Sequence, residues 1–503
     1  MIYIDPPYNT GKDFVYRDNF KKNKTDYELE LGRDDEESGE RLFRNTETNG
    51  RFHSDWCSMI YPRLKLARDF LRDDGVIFIS IDDNEVANLR KICDEVFGEG
   101  NFVSQFIWER AYAPKNDAKF VSNSHDYVLM FAKQLDRFTI GRLERTDEAN
   151  SRYSNPDNDS RGVWKPSDMS VKTYTESCDY PITTPSGRIV EPPAGRCWSL
   201  SKNAFLERLQ DNRIWFGPKG DSTPSIKRFL AELKFDGMAP TSILFYKEVG
   251  HSQEGAKEVK DLIDGNGIFD GPKPVRLLRR LLRLANTDKD SIILDFFSGS
   301  ATTAHAVMQL NAEDGGNGKR KFILVQLPEK TSEDSEAYNV GYKNICEIGK
   351  ERICRAGEKI KAEHAMTAPD LDVGFRVLKL DDTNMKDVYY APSELKQSDL
   401  IDNVNNIKDD RTPLDLLFGV MIDWGLQTLT SPIAEKKVGK NTIYIVGDND
   451  LATCFDADVP DDVIREIAAL HPTRAVFRDS FLPATMRKSM RLNCSSPWLP
   501  ILK

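Results

Sequence analysis

Asp5, Pro6, Pro7 and Tyr8, continued by Asn9, Thr10 and Gly11, set a carboxylate, a rigid turn and an aromatic face side by side. That combination suits chemistry on the exocyclic amine of a flat base. Such an amine is a poor nucleophile, because its lone pair is delocalised into the ring. If the Asp5 carboxylate and the Pro6 carbonyl both accept its N–H bonds, the nitrogen is drawn toward a tetrahedral form whose lone pair can attack. Tyr8 then stacks on the base, a contact worth ~1–3 kcal/mol. The same residues also make an ordinary turn, since Asp, Pro and Asn dominate turns for local backbone reasons, and on the tetrapeptide alone both readings stand.

The elements that must hold these residues are legible around them. Ile2 to Ile4 reads as a short buried strand, and two prolines cannot continue a ladder, so the acid and the ring sit at its end. Strand ends of open α/β sheets are where sites form. Far downstream, Ser291 to Leu294 reads as a second strand, running into Asp295, Phe296, Phe297, Ser298, Gly299, Ser300, Ala301, Thr302 and Thr303, with a helix from Ala304 to Leu310. A strand, a small-residue turn and a helix let backbone approach a nucleotide-like cofactor with helix N–H groups facing it. Many α/β proteins have such a turn.

From Ile2 to at least Glu329 the sequence resembles the amino-methyltransferases of DNA, specifically the modification subunits of type III restriction–modification systems. DPPYNTGKDFVYRDNF (Asp5 to Phe20), HSDWCSMIYPRLKLAR (His53 to Arg68), GVIFISIDDNEV (Gly75 to Val86), SHDYVLMFAK (Ser124 to Lys133), the Phe269, Pro272, Lys273, Pro274 element and ILDFFSGSATTAHAV (Ile293 to Val307) follow the family's order. Catalytic motif first, recognition region next and cofactor motif last is the β-class arrangement. The resemblance implies a Rossmann-like α/β methyltransferase sheet and S-adenosyl-L-methionine as cofactor. The catalytic residues it implies are Asp5, Pro6, Pro7 and Tyr8. It assigns cofactor contacts to Phe269, Lys273, Pro274, Asp295, Phe297, Gly299, Ser300, Thr302 and Gln326. Asp295 would face the methionine end, Phe297 would pack against the cofactor, and Gly299 would let backbone come near.

Methyl transfer from a sulfonium needs no metal, because the leaving group departs neutral; the work is orientation and solvent exclusion. Asp at the first motif position points, by the resemblance, to adenine N6 in double-stranded DNA, with the base flipped from the stack. Cytosine N4 transfer is the runner-up, and a catalytically impaired remnant that keeps DNA or partner binding is the alternative of another class. The sequence departs from the family pattern in having Ala301 where relatives have a second glycine and Gln326 where many keep an acid. The chain also opens four residues before Asp5, where relatives carry a further segment, which raises the expectation of an internal start or a truncated reading frame.

At 503 residues the chain exceeds a single core, and roughly three domains is the prior. Hydrophobic residues make up 39% and charged residues 30%. No apolar run approaches the ~20 residues of a membrane span. The first residues read as a strand and a proline turn rather than a signal peptide. The eight cysteines lack CxxC pairing and read as reduced core thiols of a cytoplasmic protein, and the six scattered histidines read as packing or local hydrogen-bonding residues. A net charge of −10 does not exclude nucleic acid, since affinity depends on where the basic residues lie. Asp26 to Glu40 reads as an acidic mobile loop. Aromatics interleave with basic residues in Trp108 to Lys119, Arg161 to Lys172 and Arg213 to Arg228, which suits phosphate and base contact. A solvated surface over core tryptophans explains the same composition.

Four regions follow. Residues 1–105 hold the catalytic half, with a helix from Tyr61 to Leu71, a strand from Val76 to Ile81 and a helix from Asn84 to Phe97. Residues 106–265, with Pro181, Pro185, Pro192 and Pro193, hold hairpins and a helix from Ser201 to Asp211, and correspond to target recognition. Residues 266–358 hold the cofactor half, entered by a proline-led helix from Pro272 to Ala285 and closed by the strand Phe322 to Val325. In residues 359–503, Val373 to Leu380 and Thr442 to Asp448 read as strands, with a helix near Leu414 to Trp424. The family counterpart of this last region serves a homodimer and the restriction (helicase/nuclease) subunit; a small α/β domain completing the fold is the other reading. Asp82, Asp83 and Glu85 resemble paired catalytic carboxylates, but helix capping explains them. No Ser/His/Asp order, helicase loop or nuclease cluster is present, so ATP hydrolysis and cleavage fall to a partner.

Overall fold

A computed structural model describes residues 1–11, 14–16, 42–44, 49–114, 116, 118–234, 237–263, 268–386, 407–427, 431–456 and 458–478. The acidic stretch Asp26 to Glu40 and Cys494 lie outside the described residues. The chain divides into two units, residues 1–373 and 374–503.

The first unit is α/β, built on a seven-stranded mixed sheet in the order Ile243–Leu244, Phe102–Glu109, His125–Ala132, Val76–Ile81, Ile2–Ile4, Ile292–Asp295 and Lys321–Leu324. Ile2 pairs in parallel with both Ile77 and Leu294, so the first strand joins two sequence segments that lie far apart along the chain. Only His125–Ala132 runs against the others. Strands buried on both faces need continuous apolar runs. Ile2–Ile4 and Val76–Ile81 supply them, and every residue of both is buried.

One face packs against the Phe52–Phe70 helix and its neighbours through Trp56, Met59, Ile60 and Leu64; the other packs against Leu277, Leu278, Leu281, Ala306 and Val307. The helix expected from Tyr61 starts at Phe52 and carries Pro62 inside it. The helix expected over Asn84 to Phe97 is α-helical over Val86–Cys93 and ends in a π turn over Asp94–Gly98. The helices expected at 201–211 and 272–285 occur at Lys202–Gln210 and Val275–Leu284.

Between the sheet strands lies a small, mainly β region that also holds the Lys202–Gln210 helix. Trp164–Asp168, Ser225–Phe229 and Ile214–Trp215 form its main ladder over a core of Met169, Ile182, Trp198, Phe205 and Ile226. Three of its basic residues pair with acids of the same region. Arg161 pairs with Asp159 at 2.8 Å, Arg213 with Glu232 at 2.7 Å, and the fully buried Lys227 with Asp157 and Asp159 beneath Trp164. At Lys227 the basic–aromatic interleaving is therefore interior structure, while Arg161 and Arg213 are partly exposed ion-pair partners.

The second unit has a four-stranded sheet in the order Ile433–Val438, Asn441–Val446, Leu451–Cys454 and Arg474–Phe477. A helix over Pro413–Asp423 is opened by a Thr412/Asp415 capping box. Val373 to Leu380 is not a strand: among the described residues it joins no ladder, and alternation alone does not make a sheet. The seven described cysteines are free thiols, and Cys354 is exposed rather than in the core. Among the described residues, no helix is long and apolar enough to cross a membrane.

Candidate active site

The sheet brings the acid turn and the small-residue turn to adjacent strand ends. Asp5 follows Ile4, and its Oδ2 accepts a hydrogen bond from Lys273 Nζ at 2.5 Å across 268 residues of sequence. The Lys273 ammonium also lies 5.2 Å from the Tyr8 ring centroid and 5.9 Å from that of Trp108. Lys273, expected at the cofactor, is thus the direct partner of the expected catalytic acid. Burial, reinforced by the Asp5 charge, pushes the Tyr8 hydroxyl well above its ordinary range and keeps it neutral. The Pro7 carbonyl accepts the Trp56 indole N–H at 2.7 Å, which ties the proline turn to the Phe52–Phe70 helix.

A second carboxylate stands nearby. Asp126, at the start of the reversed strand, pairs with Arg110 at 2.8 Å. Burial pushes its pKa up to about 6 against the pull of Arg110 and Lys273, and the Asp5 charge adds to the rise. Reading the sequence missed Asp126; only the reversal of its strand brings it to this end of the sheet.

On the other side, Asp295 is almost wholly buried at the end of its strand. It accepts a bond from Thr303 Oγ1 at 2.5 Å and one from the Phe297 amide at 3.1 Å. Burial raises its carboxyl to about 7 despite both bonds. Phe297 packs with Phe296 and the cluster that contains Tyr8. The Gly299 amide donates to Gln326 Oε1 at 2.7 Å. Gly299 is left-handed at φ +49°, and a Cβ there would stand 2.9 Å from the Phe269 ring, so side-chain-free backbone is required for Phe269 to lie over the turn.

Ser300 and Thr302 face inward. Their hydroxyls accept bonds from Nη1 of Arg352 at 2.9 and 2.7 Å. Arg352 is fully buried, reaches Glu258 at 3.5 Å, and is a functional candidate that its place in a helical pattern concealed. Glu258 accepts the Val275 amide at 3.0 Å, just beyond Pro274, and so connects the two expected cofactor elements from below. Ala301 is left-handed at φ 62°, ψ 34°, a conformation that costs an L-residue roughly 1–2 kcal/mol.

The arrangement therefore offers a carboxylate and a ring at one strand end. A bare-backbone turn flanked by a buried acid lies at the next, with one lysine between them. The family model of a DNA methylase matches residues 1–352. The chain belongs to this DNA methylase family. Among curated relatives of this methylase, the Mod subunit of the type III restriction-modification enzyme StyLTI from Salmonella typhimurium strain LT2 is 41% identical over 391 residues, covering 75% of this chain and 56% of that one. The EcoPI Mod subunit of Escherichia phage P1 is 35% identical over 77% of this chain and 62% of its own length. The EcoP15I Mod subunit of Escherichia coli is 30% identical over 76% and 61%. The methylase chain thus spans 56–62% of the length of these relatives. Among solved structures, a putative DNA modification methylase from Thermus thermophilus aligns at 13% identity with a TM-score of 0.28, covering 71% of this chain and 87% of that one, a likeness too slight to argue from.

Proposed function

We propose that this methylase transfers a methyl group from S-adenosyl-L-methionine to N6 of an adenine flipped out of double-stranded DNA, as the modification and recognition subunit of a type III restriction system. The observation that carries the reading is the Asp5–Lys273 contact, because it joins the acid turn to the Phe269–Pro274 element. The residues present suit the donor. Asp295 is an acid ready to ionise beside an ammonium, Gly299 has no side chain of its own to fill the turn beneath Phe269, and the Gln326 carboxamide carries a donor and an acceptor. Bound S-adenosylmethionine supplies the electrophilic methyl. Asp5 and the Pro6 carbonyl accept the two N–H bonds of the target amine and free its lone pair, while Tyr8 stacks on the base. Lys273 orients the Asp5 carboxylate for this role. Phe269, Pro274 and Phe297 enclose the donor, whereas Ser300 and Thr302 act on it indirectly through Arg352.

By the same reading, residues 106–265 recognise the target sequence, residues 266–358 complete the cofactor half, and residues 359–503 make a homodimer and contact a helicase/nuclease restriction subunit in the cytoplasm. A second reading, binding without transfer, draws on Ala301, whose methyl group occupies a left-handed position in the cofactor turn. Transfer of tritium from labelled cofactor to DNA decides between them. Asp5→Ala is expected to abolish labelling while DNA binding persists, and nucleoside digestion is expected to release N6-methyladenine. Label retained by the Asp5 variant refutes the mechanism, and N4-methylcytosine in the digest refutes the target.

A further inference from the structure

Glu85 stands where the sequence suggests a helix cap, at the residue before Val86, yet its side chain makes no capping bond. Asp82 makes the local turn instead, accepting the Asn84 amide at 2.9 Å and its side chain at 2.8 Å. Asp83 accepts from Tyr127 at 2.8 Å and Asn123 at 2.6 Å. The Glu85 carboxylate turns inward and is fully buried. Its Oε1 accepts Asn9 Nδ2 at 2.6 Å and meets His53 Nδ1 at 2.6 Å, and its Oε2 accepts Asn88 Nδ2 at 2.8 Å. A polar group removed from water needs hydrogen-bond partners, and three side chains from three separate segments supply them here.

Asn9 is the last residue of the DPPYN run. It is 1% exposed and left-handed at φ 60°. Asparagine tolerates that conformation better than most residues, but tolerance alone does not select it. The bond to Glu85, with a longer one to the Phe52 carbonyl at 3.3 Å, fixes the amide on the side where the chain must bend. Asn9 lies four residues from Asp5, so a change in its backbone angles swings the carboxylate and the Tyr8 ring together. We propose that Glu85 is a positioning residue of the methyl-transfer site, holding the acid turn in its reactive shape through Asn9, with His53 and Asn88 fixing the Glu85 carboxylate in turn. It touches neither base nor donor. The inference rests on the methyltransferase reading above.

The test compares tritium transfer to genomic DNA from a host lacking this gene with cofactor affinity measured by isothermal titration, for the unmodified protein, Glu85→Gln, Asn9→Ala and the double variant. Glu85→Gln is expected to lower kcat at least thirtyfold while the cofactor Kd stays within twofold. Asn9→Ala is expected to do the same, and the double variant to be no worse than the poorer single one, the signature of residues acting through one contact. A merely structural role would weaken cofactor binding along with kcat. Glu85→Gln within threefold of the unmodified kcat, a matching loss of cofactor affinity, or losses that multiply in the double variant overturn the proposal. If Glu85→Gln does not fold, Asn9→Ala decides alone, and a kcat within threefold overturns it. Absence of transfer by the unmodified protein refutes the methyltransferase reading and this inference with it, whereas full transfer by Glu85→Gln refutes the inference alone.

Discussion

The two turns that meet at the centre of the sheet are built to different standards of fit. Each follows a parallel strand, and each contains a non-glycine residue in the left-handed region, Asn9 at φ 60° and Ala301 at φ 62°. Asn9 has a side chain that suits the conformation and a buried carboxylate to hold it. Ala301 has neither; its methyl group is buried, and the turn around it is held through its neighbours, by Arg352 on Ser300 and Thr302 and by Gln326 on the Gly299 amide. The acid turn is therefore relaxed in its bent shape, while the cofactor turn is kept bent by packing. Strain sits on the turn that carries Ala301.

Lys273 is the largest lever on this contrast, since it joins the acid turn to the element whose Phe269 lies over Gly299. Lys273→Met is expected to lower methyl transfer about a hundredfold, the order found when one preorganised electrostatic contact is removed. Transfer within threefold would mean that the two turns work independently.

The protonation of Asp295 comes next. Its folded pKa of about 7 exceeds the ordinary 3.8, so the folded chain keeps a proton that the unfolded chain releases. Its contribution to stability is therefore present below about pH 4 and is lost as pH rises toward 7. Cofactor binding runs the opposite way, because the ionised acid is the form that attracts an ammonium. Affinity by titration calorimetry is expected to climb between pH 5 and 7 and level off above, with Asp295→Asn flattening the curve. An affinity independent of pH would place the ammonium elsewhere.

The smallest effect addresses strain directly. Ala301→Gly is expected to raise stability by about 1 kcal/mol in urea unfolding, whereas Asn9→Gly is expected to lower it. Equal responses at the two sites would remove the distinction drawn between them.

Much of this was legible in the residues. Pro6 and Pro7 end a strand wherever they fall, and Asp295 to Thr303 spells a strand-to-helix turn, so both turns and the sheet that carries them follow from local chemistry. What escaped is polar and long-range. Glu85 reaches Asn9 across 76 positions, Arg352 reaches Ser300 across 52, and Lys273 reaches Asp5 across 268. Such contacts leave no periodicity. A buried glutamate followed by a helix looks like a cap, and a buried arginine in an amphipathic helix looks like part of its wet face. The Ser300 and Thr302 hydroxyls were illegible for a related reason: a hydroxyl in such a turn points either way, and its partner Arg352 lies on another element. Val373 to Leu380 alternates like a strand, but only a neighbouring edge makes one.

The reversed strand has one more effect. His125–Ala132 opens beside Asp5 and finishes at the opposite rim of the sheet, and Ile243–Leu244 starts from that same rim. The intervening stretch, 133–242, is therefore hinged at both of its attachments on the rim farthest from the chemistry. Its loops can lengthen, shorten or change their side chains without tugging covalently on the strands that carry Asp5 and Asp295. One chemical engine can in this way serve many different addresses.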